Sequence, residues 1–209
     1  SGKTSRVISK IVADPRTYED MRSVINGKET TERRPIIILM PNHQNISEAV
    51  ARAKMLCLDA DMSDMQLAEA LVNCGFCENI DIAYTKTEEA RSSIRMCNRD
   101  KNLPPLNISV MESRIRAGCK KSKEMFLLKE AGISQSSMCQ SRNRNQETGQ
   151  MEDVFCEYYN TCPFIEKRQQ LPLAHIIFMP HAYLTIEVIP DEIRNPALLL
   201  LMSVFRNRF

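Results

Sequence analysis

The sequence predicts an α/β fold, a parallel sheet with helices on both faces, interrupted by a cysteine-rich, mostly helical or irregular insertion. Three observations carry this. PIIILMP at 35–41 and the apolar run inside LAHIIFMPHAYLTI at 173–186 are short, Ile-rich and end in Pro, as strands buried on both faces do. Segments with helical spacing alternate with them, the rhythm of a parallel sheet. Between them, 85–170 is polar and rich in Cys, Arg and Ser.

Taken in order, RVISKIVADP is helix-compatible and Pro15 ends it. The charged segment 16–34 is broken at Gly27. After the first strand, Asn42 to Ser47 read as a turn, with Asn45 or Ser47 as helix caps. ISEAVARAKMLCL then has helical spacing, as does DMQLAEALVNC, which ends at Gly75. IDIAY at 80–84 reads as a strand, ISVMESRIRAG at 108–118 as a helix and QSRNRNQETGQ at 140–150 as an exposed loop. The expected organisation is 1–84 as the first part of the α/β domain, 85–170 as the insertion and 171–209 as the return.

The 209 residues suffice for one core with an insertion. Composition is globular, 43% hydrophobic and 26% charged, and 28 basic against 26 acidic residues leave a net charge of +2. That balance neither establishes nor excludes a nucleic-acid partner, because local placement decides. The longest apolar run, near Ala197–Met202, is far too short to span a bilayer, so no membrane is expected. Eight cysteines without a secretory signal point to a cytoplasmic protein with free or metal-bound thiols rather than disulfides.

Four features carry chemistry. SGKT at 1–4 matches the second half of a phosphate-binding loop. Ser1 and Gly2 would let the backbone approach phosphates, Lys3 would reach the β- and γ-phosphates, and Thr4 would meet Mg²⁺. The alternative is an ordinary N-terminal stretch. Asn42 and His43 stand at a strand exit, where side chains and helix N–H groups contact a phosphate backbone, or simply cap a helix. His181 follows Pro180 at the second strand exit. His175, inside the strand-like run, reads as a core or edge residue. The fourth feature is the cysteine set. Cys97, Cys139 and the pair Cys156-EYYNT-Cys162 can close a four-thiolate site for zinc or an iron–sulfur cluster, with Cys119 as the spare ligand. Cys57 reads as core, and Cys74 and Cys77 as free thiols. Tyr158, Tyr159 and Phe164 either stack on bases or pack around the metal site. Arg142, Arg144, Lys167 and Arg168 form a solvated face or a basic groove.

CEYYNTCPFIEKRQQLPLAHIIFMPHAYL at 156–184 resembles the corresponding stretch of iron–sulfur superfamily 2 DNA helicases, the XPD/DinG-like group. Met96-Cys97, Arg116-Ala117-Gly118 and Cys139 precede it in the order of that family, and SGKT and ILMPNHQ extend the likeness over most of the chain. The resemblance implies an incomplete RecA-like sheet and a 4Fe–4S cluster on Cys97, Cys139, Cys156 and Cys162, with Zn²⁺ as the alternative. It also implies ATP with Mg²⁺ in the full-length protein and single-stranded DNA as partner, contacted by Asn42, His43 and His181. Two departures make the chain an expected fragment, inactive as a helicase by itself. The first Gly of the phosphate loop is missing, and Met202-Ser203-Val204-Phe205 stands where an Asp-Glu pair is implied. Asp191 and Glu192 fall in a polar turn and are not expected to be that pair. The alternative function is a non-enzymatic four-cysteine module that binds nucleic acid or a partner.

Overall fold

The computed structural model describes residues 2–25, 28–133, 138–146, 148–185 and 196–202. It forms two compact units, 1–111 with 171–209, and 112–170. The boundary falls at Glu112 rather than near residue 85.

The first unit is mixed α/β around a four-stranded parallel sheet of order β4-β7-β3-β8. Helix α1 (Gly2–Ala13) buries Ile8, Ile11 and Val12, an i, i+3, i+4 stripe, and ends before Pro15. Strands β1 (Met21–Ile25) and β2 (Lys28–Glu32) pair antiparallel. The dipeptide Asn26-Gly27 between them is a hairpin signal within the charged segment. The two apolar runs become β3 (Ile36–Met40) and β7 (Ile176–Pro180), buried at every position. Full burial explains why they are continuously apolar rather than alternating, since both faces of the sheet are covered. Ile36, Ile38, Met40, Ile176 and Phe178 join the core of α1, α2 (His43–Met55), α3 (Asp64–Asn73) and α5 (Thr87–Cys97). The alternate residues Ile37, Leu39, Ile177 and Met179 meet Met111, Leu171, Ala174 and Tyr183 on the other face. At about 1.5–3 kcal/mol per fully buried large apolar side chain, these two strands anchor the unit.

Two expected elements differ. IDIAY forms helix α4 (Ile80–Thr85), because Asn79 caps it by accepting from the Ile82 N–H at 2.9 Å and Asp81 sits in its first turn. Its alternating pattern is misleading: Ala83 is buried while Ile80, Ile82 and Tyr84 are exposed. ISVMESRIRAG begins as strand β4 (Ile108–Val110), which takes the open edge of β7, and continues as turns. Sheet pairing overrides local helical spacing there. At the opposite edge β8 (Leu198–Leu201) pairs with β3, with Leu198, Leu199 and Leu201 exposed.

The second unit has helix α6 (Ser122–Glu130), an antiparallel hairpin of β5 (Gln140–Arg144) and β6 (Met151–Phe155), and α7 (Pro163–Gln170). The segment expected to be wholly loop therefore supplies a strand. Its exposure was read correctly, because nearly every hairpin residue faces solvent. No helix of the described residues is long and apolar enough to cross a membrane.

Candidate metal centre and sheet-edge site

In the second unit, the turn 114–118 delivers Cys119 beside α6, and Gly118 supports that turn with φ +87°. The hairpin then clamps two more cysteines at its base, where the Cys156 N–H donates to the Cys139 carbonyl at 3.1 Å. A 3-10 turn at Tyr159–Thr161 brings Cys162 round to the start of α7. The result is a single small cavity lined by Cys119, Cys139, Cys156 and Cys162 with Lys121, Met125, Met138, Tyr158, Tyr159 and Ile165. No His, Asp or Glu lines it. The spare residue Cys119, not Cys97, thus completes the quartet around this cavity.

Cys97 is placed otherwise. It is a buried residue of α5 in the first unit, and its thiol donates to the Ser9 carbonyl at 3.4 Å. Burial pushes its pKa up, as it does for Cys57, Cys74 and Cys77. The sequence holds the signal for this difference. Ala90, Ile94 and Cys97 follow i, i+4, i+7 spacing and are all buried, so Cys97 belongs to a helix face that meets the core. Cys119 follows Gly118 in an irregular segment, where a ligand can be aimed freely.

Two cations that sequence reasoning passed over attend the thiol cavity. Arg114 Nε donates to Cys139 Sγ at 3.4 Å, and its guanidinium lies 4.9 Å from the centroid of the Phe164 ring. Lys121 lines the cavity and pairs with Glu157 at 3.0 Å, a hydrogen bond that raises the lysine pKa, with a smaller contribution from Cys156. The Cys119 pKa is raised chiefly by burial and further by the three other thiols. Deprotonated together, the four sulfurs would repel one another, and a cationic centre between them would relieve this. Of the residue types Cys, His, Asp and Glu, only Cys lines the cavity. Among the described residues, however, no three or more His, Cys, Asp or Glu side chains converge closely enough to hold a single metal ion.

The aromatic and basic residues of this unit are engaged in packing. Lys120 lies 5.0 Å from the centroid of the Tyr158 ring, and Tyr159 packs tilted against Phe155 with ring centroids 4.7 Å apart. Arg142 pairs with Asp153 at 3.0 Å and Lys167 with Glu112.

In the first unit, β7, β3 and β8 end side by side. Met40 is in register with Pro180 and Leu39 with Leu201, and the Met202 N–H donates to the Leu39 carbonyl at 2.9 Å. Asn42, His43 and His181 consequently leave the carboxyl edge of two adjacent parallel strands, where open α/β sheets bind ligands. Asn42 caps α2, accepting from the Asn45 N–H at 2.9 Å, and His43 is the first residue of that helix. The Nε2 atom of His181 is buried with no hydrogen-bond partner among the described residues, a cost of about 1–3 kcal/mol that function often explains.

Gly2, Lys3 and Thr4 form the first turn of α1, with Lys3 exposed and Thr4 partly buried. The turn carries no acidic residue, and helix N-termini offer free N–H groups to anions. Ser1, Asp191 and Glu192 lie outside the described residues, as do Ser203, Val204 and Phe205. Comparison with protein-family models, curated proteins and solved structures gives no significant match, so the site is read from this chain's own residues alone.

Proposed function

We propose that this chain is part of an ATP-dependent, helicase-like DNA motor whose second unit holds an iron–sulfur cluster on Cys119, Cys139, Cys156 and Cys162. One observation carries the reading: four cysteines from the 44-residue stretch 119–162 line one cavity that no His, Asp or Glu lines. The wide cysteine spacing, unlike the tight pairs usual in zinc ribbons, supports the cluster reading over zinc. When bound, the cluster supplies a covalent crosslink between the segments that deliver its ligands.

The motor part of the reading rests on the first unit. Its parallel sheet carries Asn42, His43 and His181 at one edge, the positions proposed to touch single-stranded DNA. Asn42 would act through the helix terminus that it caps, and His181 through its unpartnered Nε2. Ser1 and Gly2 would cradle phosphates, with Lys3 on the β- and γ-phosphates of ATP and Thr4 on Mg²⁺. The RecA-like assignment of the sheet and the resemblance to iron–sulfur superfamily 2 helicases belong to this proposal.

Anaerobic purification followed by iron, sulfide and zinc analysis tests the centre. Iron with acid-labile sulfide, and a visible chromophore lost in Cys156→Ser, is the expected result. A colourless protein with stoichiometric zinc would replace the cluster by a structural zinc site, and metal-free protein with reactive thiols would remove the centre altogether. Nucleotide binding is measured separately. If it is absent, or unchanged in Lys3→Ala, the ATP assignment fails.

A further inference from the structure

One buried ring in the first unit joins three chain segments. His175 precedes β7 and is 6% exposed. Its Nδ1 accepts the backbone N–H of Asn107, the residue before β4, at 2.9 Å. Its Nε2 lies 3.1 Å from Nη1 of Arg33, which follows β2. The same Nη1 donates to the Leu173 carbonyl at 3.0 Å, and Arg33 Nε donates to Asp20 Oδ1 at 2.8 Å. Asp20 immediately precedes β1, so Arg33 and Asp20 clasp the two ends of the β1–β2 hairpin. The remaining neighbour is Tyr18, whose ring centroid is 5.1 Å away. Its hydroxyl receives Arg99 Nε at 3.2 Å and donates to the Val12 carbonyl at 3.1 Å. Among the described residues, the charged groups around the ring are Arg33 and, behind Tyr18, Arg99, against the acid Asp20.

Both hydrogen-bonding neighbours of the imidazole are donors. A neutral imidazole has one nitrogen that accepts and one that carries the proton, so with Nδ1 accepting from Asn107 the Nε2–H faces Arg33 without a hydrogen bond to it. An imidazolium has two N–H groups and no acceptor, so it can satisfy neither. Protonation would replace the Asn107 hydrogen bond by a donor–donor contact and place a positive ring 3.1 Å from the Arg33 guanidinium.

We propose that His175 is an acid-sensitive latch: its neutral ring accepts the Asn107 N–H just ahead of β4 and lies uncharged against Arg33 at the base of the β1–β2 hairpin, and protonation breaks the first contact and sets like charges against each other at the second. Burial and then Arg33 hold the His175 pKa below the ordinary value, with Asp20 acting weakly against them. The direction of the pH effect follows. The closed form binds the proton less well than the opened form, whose pKa is about 6.5. Closure is complete above that value and weakens as pH falls, by about tenfold per pH unit, until the lowered pKa of the closed form is reached.

Backbone amide exchange at residues 20–25, 28–33 and 107–108, corrected for intrinsic rates, tests the latch at about pH 7.5 and about pH 5.5. The expected result is an opening equilibrium raised at the lower pH by up to about tenfold, confined to these segments, and a pH dependence that disappears in His175→Asn. An identical pH dependence in that variant would overturn the proposal. Imidazole NMR of the unaltered protein decides the matter if the variant does not fold, since the chain has only three histidines. His175 titrating below the ordinary histidine range supports the latch, and titration at or above that range refutes it.

Discussion

Replacing Cys97 and Cys119 separately by Ser distinguishes the two possible cysteine sets, because the two thiols sit in different physical settings. Cys97 is 7% exposed and spends its S–H on the Ser9 carbonyl. A serine hydroxyl can keep that hydrogen bond but is costlier to bury than a thiol, so Cys97→Ser should cost about 1–2 kcal/mol of stability. Metal content should not change. Cys119 is one of four thiols around the cavity. If a structural four-thiolate centre is worth about 10–16 kcal/mol, an even share per ligand is roughly 3 kcal/mol. That corresponds to about a hundredfold loss of affinity. The assay is metal and sulfide per chain after anaerobic purification and a chelator challenge, with a thermal melt of each variant alongside. Cys119→Ser should lose its metal under a challenge that the parent and Cys97→Ser survive. The reverse outcome, an empty Cys97→Ser protein and a fully loaded Cys119→Ser protein, would refute the assignment of the quartet.

Arg114→Gln should weaken metal retention by about 10- to 100-fold without emptying the site, because it removes the donor to Cys139 Sγ and the cation over Phe164. Retention measured against a chelator series checks this, and an unchanged series would show that the contact carries no weight. Asn42→Ala removes the cap of α2 and should cost about 1 kcal/mol in denaturant unfolding, with Asn42→Ser close to neutral. Phe178→Ala deletes a fully buried ring from β7 and should cost about 3–5 kcal/mol in denaturant unfolding, a large share of the roughly 5–15 kcal/mol that holds an ordinary domain folded. Gly75→Ala places a side chain at φ +78° with no atom within 4 Å, so its cost of about 1 kcal/mol should come from backbone strain alone.

The elements that sequence reasoning read well are those in which local pattern and burial agree. PIIILMP and IIFMP are apolar at every position because both faces of the sheet are covered, and they pair in parallel register. Asn42 and His181 were recognisable as strand-exit residues because each follows directly on such a run. IDIAY was misread because alternation alone cannot reveal that its isoleucines face solvent, and the Asn79 cap decided for helix. ISV was misread because its pairing partner, β7, lies more than sixty residues away and the open edge of a sheet is invisible in a local window. Arg114 and Lys121 had no spacing signal at all, and only the approach of the hairpin base and α6 makes them neighbours of the thiols.

By itself the sequence determined the α/β class, the two buried strands, the strand-exit polar residues and the existence of a cysteine-rich segment. These follow from composition and period, which act over a few neighbouring residues. Tertiary structure alone decided which four cysteines share a cavity. A thiol in a helix can face the core or a ligand with equal ease, and the choice depends on what packs against that face. For Cys97 the face is filled by α1, with Ser9 taking the S–H. For Cys119 the turn at Gly118 aims the thiol toward the base of a hairpin formed far along the chain. The same holds for His175, an ordinary core histidine in the sequence until folding surrounds both ring nitrogens with donors.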